Sequence, residues 1–166
     1  MTQSTRLSPC FAALFVAGVA ALASLAAHPA QAQKADISGI WIDHTGRGAV
    51  EFTRCGQSLC GNLVWIEKPN DPQGRPFLDG NNPDTKLRSR PICGLPIIGN
   101  AKSVEASTFD GGWIYNPEDG KSYTVEVKLI SPNIATVTGY LGMKFLGQTF
   151  TWKRAPAGLV KCGGVR

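Results

Sequence analysis

The feature that most constrains this chain is the spacing of its apolar residues. After the N-terminal stretch, no segment sustains the i, i+3, i+4 repeat of an amphipathic helix. The apolar residues fall instead in short runs rich in Val, Ile, Thr and aromatics, divided by Gly, Pro, Asn and Asp. Ile40 to Asp43 is expected as a first strand, and Ala49 to Arg54 with Leu59 to Ile66 as a hairpin. A long segment dense in Pro, Gly, Asn and Asp, Glu67 to Pro96, comes next, before a short strand over Lys102 to Ala106. Gly112 to Tyr115 and Lys121 to Ile130 flank Asn116-Pro117-Glu118-Asp119-Gly120, a strong turn signal. Ile134 to Leu141 and Phe145 to Arg154 complete about eight strands, joined through Gly142-Met143-Lys144.

Eight antiparallel strands in chain order have an edge problem, and closing into a barrel removes it. The expected fold is therefore all-β: a single antiparallel up-and-down barrel with one long loop. A barrel of that size is filled by side chains or holds one small ligand. Alternation gives its wall two faces. Tyr123, Val125, Val127 and Leu129 alternate with Thr124, Glu126 and Lys128. In the last strand Leu146, Gln148, Phe150, Trp152 and Arg154 are expected on one face, opposite Thr149, Thr151 and Lys153.

The N-terminus carries Arg6, then an uncharged apolar run from Phe11 to Ala27, then Ala30-Gln31-Ala32. These are the three regions of a secretory signal, with cleavage expected before Gln33. At 17 residues and rich in Ala, the run is short for a membrane span. Residues 1–32 are thus expected to be removed. A single domain over 33–166 remains, with its core over 36–154 and a tail over 155–166, in the periplasm or outside the cell. No transmembrane segment is expected after cleavage. Removing residues 1–32 takes away only Arg6, so 16 basic residues face 12 acidic ones. The basic residues are spread along the chain, which argues against a nucleic-acid footprint.

Four cysteines follow the leader: Cys55, Cys60, Cys93 and Cys162. An even number in an exported chain reads as two disulfides. Cys55 and Cys60 lie between two strand-like runs and are expected to face each other across the hairpin. Cys93 and Cys162 then pair and pin the tail. Their spacing is not C-x-x-C, and His44 is the only histidine after residue 32, so neither a redox pair nor a zinc site is favoured.

Several ordered stretches carry a resemblance to a known family. They are Gly39-Ile-Trp41; Cys55-Gly-Gln-Ser-Leu-Cys60-Gly61; Asn82-Pro83-Asp84; Leu87-Arg88-Ser-Arg90-Pro91; Gly94-Leu95; Trp113-Ile-Tyr115-Asn-Pro117-Glu-Asp-Gly120-Lys-Ser-Tyr123; Gly139-Tyr140; and Thr151-Trp152-Lys-Arg154. The chain resembles the bacterial DUF2147 proteins, a group of small exported proteins. The resemblance implies a lipocalin-like, calycin-type barrel with no established activity and no agreed ligand. In lipocalins a Gly-x-Trp opens the first strand, and its indole packs under a basic residue near the end of the last. Gly39, Trp41 and Arg154 occupy corresponding places, and that contact is expected to seal one end of the barrel.

Candidate chemistry is sparse. Asp79, Asn81, Asn82 and Asp84 on the long loop offer oxygen donors but no EF-hand pattern, so turn formation is the better reading and no metal is expected. Arg88 and Arg90 are expected either to clamp an anionic group or to fix the loop by bonding its carbonyls and pairing with Asp79 or Asp84, the second being favoured. Ser58 lacks a nucleophile setting, and Asp110, Glu118 and Asp119 each sit in a turn signal, so catalysis and cofactors are not expected. The aromatic residues Trp65, Tyr115, Tyr123 and Tyr140 sit in or beside strands, where they fill a core or line a barrel mouth. Together with Arg88 and Arg90 they form the candidate site for a small hydrophobic or lipid-like ligand. The alternative is a protein-interaction or inhibitor module with a filled barrel, using the Arg-bearing loop.

Overall fold

A computed structural model describes residues 36–163 of the chain. The leader expected over 1–32 lies outside the described residues. Eight strands run in order: β1 (Gly39–Ile42), β2 (Gly48–Cys55), β3 (Ser58–Ile66), β4 (Pro96–Glu105), β5 (Thr108–Asn116), β6 (Lys121–Ser131), β7 (Ile134–Tyr140) and β8 (Gln148–Arg154). Each pairs antiparallel with the next, and β8 pairs back with β1 to close the barrel. Every strand edge is thereby covered. The expected architecture holds, with an interior of Trp41, Phe52, Leu59, Phe109, Val125, Val127 and Val137, all nearly inaccessible to solvent.

Three strand boundaries differ from expectation by more than one residue. β4 starts at Pro96 rather than Lys102, because residues that read as breakers each have a use in it. Pro96 takes the first strand position, where no ladder donor is needed. Gly99 lies under the Trp113 indole, which a Cβ would meet at 2.5 Å. Asn100 adopts a left-handed φ of 58°, beside irregular pairing of β3 with β4. β5 begins at Thr108 rather than Gly112, because Asp110-Gly111 forms a bulge inside the strand and not a turn. β8 begins at Gln148: Lys144–Leu146 is a 3-10 turn, and Leu146 is 67% exposed instead of facing inward.

Both disulfides form, Cys55–Cys60 and Cys93–Cys162, with Cα atoms 5.9 and 6.3 Å apart. Cys55 and Cys60 do not face each other directly. The two-residue turn Gly56-Gln57 sets Cys55 opposite Ser58 and Cys60 opposite Thr53, so the bond runs diagonally across the hairpin. The second disulfide brings the tail to the end of the long loop. There the Cys162 N–H donates to the Val64 carbonyl at 2.8 Å, and Lys161 pairs with Glu51 at 2.7 Å.

One end of the barrel is sealed. Trp41 and Arg154 are cross-strand partners, and the guanidinium carbon lies 4.3 Å from the ring centroid of the fully buried indole. Arg154 donates from Nε to the Pro132 carbonyl, from Nη1 to Ser38 and from Nη2 to Asp36, at 2.7, 2.9 and 2.8 Å. Gly39 is needed beside this clasp: its φ is +115°, and a Cβ there would sit 2.9 Å from Arg154 Nη1. Outward positions carry Glu51, Glu126, Lys128 and Lys153, a wall suited to water. Among the described residues no helix is long and apolar enough to cross a membrane.

Candidate functional site

The other end of the barrel opens into a cavity of about 1070 Å³. Alternation along the strands supplies its apolar wall, which includes Val50, Leu63, Ile97, Ile114, Val137, Phe150 and Trp152. Turns and loops supply a polar mouth that includes His44, Arg47, Glu67, Lys68, Glu118 and Asp119. His44 stacks on Phe150 with ring centroids 4.0 Å apart, so its turn leans over the opening. The Trp152 Nε1–H on this wall is buried without a hydrogen-bond partner among the described residues. Phe77 and Ile92, from the long loop, also line the cavity.

The expected site residues are only partly brought together. Tyr123 faces the lumen, paired across the β5–β6 hairpin with Ile114, and its hydroxyl donates to Asp119 at 3.0 Å. Tyr115 does not face Tyr123, because the four-residue loop Pro117–Gly120 pairs Tyr115 with Ser122. That register turns Tyr115 to the outer face, where the long loop covers it. Tyr140 is paired with Thr124 on the outer face as well, and both outer tyrosines touch the cavity at its rim. Trp65 is not among the lining residues. A bulge between Ala49 and Val50 pairs Trp65 with Ala49, on the face opposite Val50 and Leu63.

Arg88 and Arg90 are committed to the loop and do not line the cavity. Arg88 Nε donates to the Asn82 carbonyl at 2.7 Å. Arg90 donates through Nε and Nη2 to Asp79 Oδ2, at 3.0 and 2.9 Å. Asp79 is wholly inaccessible, and it also accepts from Tyr115 at 2.6 Å and from Asn82 at 2.8 Å. This network fastens the long loop to β5. A second tether runs from Asn81 Nδ2 to the Glu118 carbonyl at 2.8 Å. It passes so close to Gly120 (φ +69°) that any Cβ would strike the Asn81 carbonyl at 1.9 Å. Asp84 caps the 3-10 turn Thr85–Leu87 by accepting from Lys86 N–H at 3.0 Å. The arginines thus take the favoured of their two expected roles, fixing the loop through a carbonyl and through Asp79, whereas the bonds of Tyr115 and Asn82 to Asp79 and the Asn81 tether have no cue in the sequence.

Burial is the largest influence on Asp79 and opposes its charge. Hydrogen bonds from Tyr115, Asn82 and Arg90, with the Arg90 charge, outweigh it and hold the carboxyl below its ordinary value of 3.8. The Tyr115 hydroxyl is pushed up to about 12, by burial first and then by its bond to Asp79. A carboxyl with a depressed folded pKa stabilises the fold above its unfolded pKa and loses that contribution as pH falls through the folded value. Asp79→Asn is therefore expected to cost about 1–3 kcal/mol near neutral pH. The difference from wild type should shrink below about pH 3.8, as read from urea midpoints at both pH values. An equal difference at both would show that the charge contributes nothing.

The fold and site together define a lipocalin-like barrel: eight antiparallel strands, closed at one end, with an apolar cavity open at the other. The chain belongs to the family described as "Uncharacterized protein conserved in bacteria (DUF2147)", whose model matches residues 39–154. It is similar to the solved structure of protein HP1028 from the human pathogen Helicobacter pylori, described as belonging to the lipocalin family. The two share 28% identity over 74% of this chain and 84% of that one, with a TM-score of 0.63. No curated protein matches the chain.

Proposed function

We propose that this protein holds a small apolar or amphipathic molecule in the barrel cavity, outside the cytoplasm, and that it acts by binding rather than by catalysis. The cavity carries the reading: its volume of about 1070 Å³ is just above the roughly 300–1,000 Å³ usual for small-molecule sites, and its wall is largely apolar with a few polar groups at the mouth. The unpartnered Trp152 Nε1–H favours a ligand, or a ligand-associated water, that brings a hydrogen-bond acceptor. Two disulfides favour an oxidising compartment, in agreement with the leader read over residues 1–32. The mouth cations Arg47 and Lys68, rather than Arg88 and Arg90, are placed to meet an acidic head group.

Gly139 offers a direct test. It faces the lumen, and a Cβ built there meets only Tyr123 Cβ at 3.8 Å and Ile114 Cγ2 at 3.9 Å, both ordinary contacts. Gly139→Trp is therefore expected to place an indole in the cavity and obstruct it while the barrel still folds. Titration of a fluorescent fatty acid should show affinity at least about tenfold weaker than wild type, with little change in melting temperature. Equal affinity in the two proteins, or no wild-type binding by probes of several sizes, would overturn the reading.

A further inference from the structure

The segment Leu141–Gly147, between β7 and β8, stands at the cavity mouth with an apolar surface unusual for a loop. Leu141, Met143, Phe145 and Leu146 are 68, 57, 78 and 67% exposed. A run of exposed apolar side chains is a liability in water unless something covers it. Its only charge, Lys144, is folded back onto the barrel wall. The ammonium pairs with Asp110 and with Glu126, the latter at 2.6 Å, so its charge is held against two carboxylates of the scaffold instead of being presented at the tip. The backbone of the tip is also partly satisfied from within: Leu146 N–H donates to the Met143 carbonyl at 3.1 Å and Gly147 N–H to Lys144 at 2.9 Å. Gly147 packs so closely on β7 that a Cβ would meet the Gly139 carbonyl and Tyr140 Cβ at 2.8 Å. The result is an exposed apolar tip, pinned at Gly147, whose one cation is turned onto the barrel wall. Leu141 and Leu146 connect it to the cavity, and Phe77, 43% exposed, is another lining residue on the long loop.

We propose that this loop inserts into the face of a lipid bilayer, so that the cavity exchanges its ligand directly with the membrane. The exchange rests on the binding reading above; the insertion does not. Among possible partners the shape favours a bilayer. Four side chains expose a few hundred Å², well below the roughly 800 Å² per partner of a specific protein interface. The four side chains are also more than half exposed, so they protrude, and the boundary of headgroups and acyl chains accepts protruding apolar side chains without shape matching. The two internal N–H bonds reduce the number of unpaired backbone donors the tip would carry out of water.

The test places its reporter in the loop itself, so that an apolar N-terminal stretch cannot account for the result. Phe145→Trp protein is mixed with phosphatidylcholine vesicles, and the emission is compared with that of wild type. Expected are a blue shift of the introduced indole and its quenching by lipids brominated along the acyl chains. Met143→Ser/Phe145→Ser should reduce the fraction floating with vesicles at least about tenfold, because burying large apolar side chains is what holds the loop in place. The same variant should bind a fluorescent fatty acid in vesicle-free solution as wild type does, which also establishes that it folds. No shift and no quenching at saturating lipid would overturn the proposal, as would equal flotation of the serine variant. A concentration-dependent dimer abolished by the serine variant would overturn it too, by showing that a second copy covers the tip. Quenching of the introduced indole in a protein that takes up no fatty acid would support insertion while refuting the binding reading.

Discussion

Trp41→Ala is expected to lower the free energy of unfolding by about 3–5 kcal/mol, seen as a lower urea midpoint at unchanged slope. The indole is fully buried, its Nε1–H donates to the Ile37 carbonyl at 2.8 Å, and its ring packs near Phe52 at 6.4 Å between centroids. A domain of this size has only about 5–15 kcal/mol in total, so the variant should sit near the margin of folding. Arg154→Ala is expected to cost less, because two of its three bonds to carbonyls lie at the exposed surface, where water can replace them. The guanidinium over the ring should appear as a coupling of about 0.5–2 kcal/mol in a double-mutant cycle. Strictly additive losses would mean that the contact closing the sealed end contributes no energy of its own.

The second large effect concerns the tail. Cys93→Ser/Cys162→Ser is expected to destabilise the protein by about 4 kcal/mol, and Cys55→Ser/Cys60→Ser by about 2 kcal/mol, from the entropy of loops closed in the unfolded chain. The first bond spans 69 residues and the second only 5. Both comparisons are read from urea midpoints of the double variants. A greater loss from opening the short hairpin loop would contradict the loop-length argument. It would place the weight on native contacts around Cys55 instead.

Much of the barrel was legible in the sequence because its signals are local. The period-two alternation over Tyr123–Leu129, the Asn116–Gly120 turn and the even cysteine count each identify an element without knowledge of its neighbours. The pairing of Trp41 with Arg154 came from a resemblance, and the geometry places the two side by side. What was not legible depends on register. A one-residue change in hairpin centre reverses the face of a side chain, which is why Tyr115 lies outside while Tyr123 lies inside. A single bulge does the same to Trp65. Leu146 carries the same apolar character as Phe150, and only the 3-10 turn before β8 separates an exposed tip from the wall. The Asp79 network joins residues 36 positions apart, beyond the reach of any local pattern.

The central claim is that the open cavity holds a small molecule outside the cytoplasm. Native mass spectrometry of the protein purified from its own envelope fraction tests it most directly. The expected spectrum shows residues 33–166 with two disulfides and a discrete added mass, and that added mass is lost from Gly139→Trp purified in the same way. An envelope protein that carries only the polypeptide mass and takes up no fatty-acid probe would contradict the claim. So would an added mass retained undiminished by Gly139→Trp.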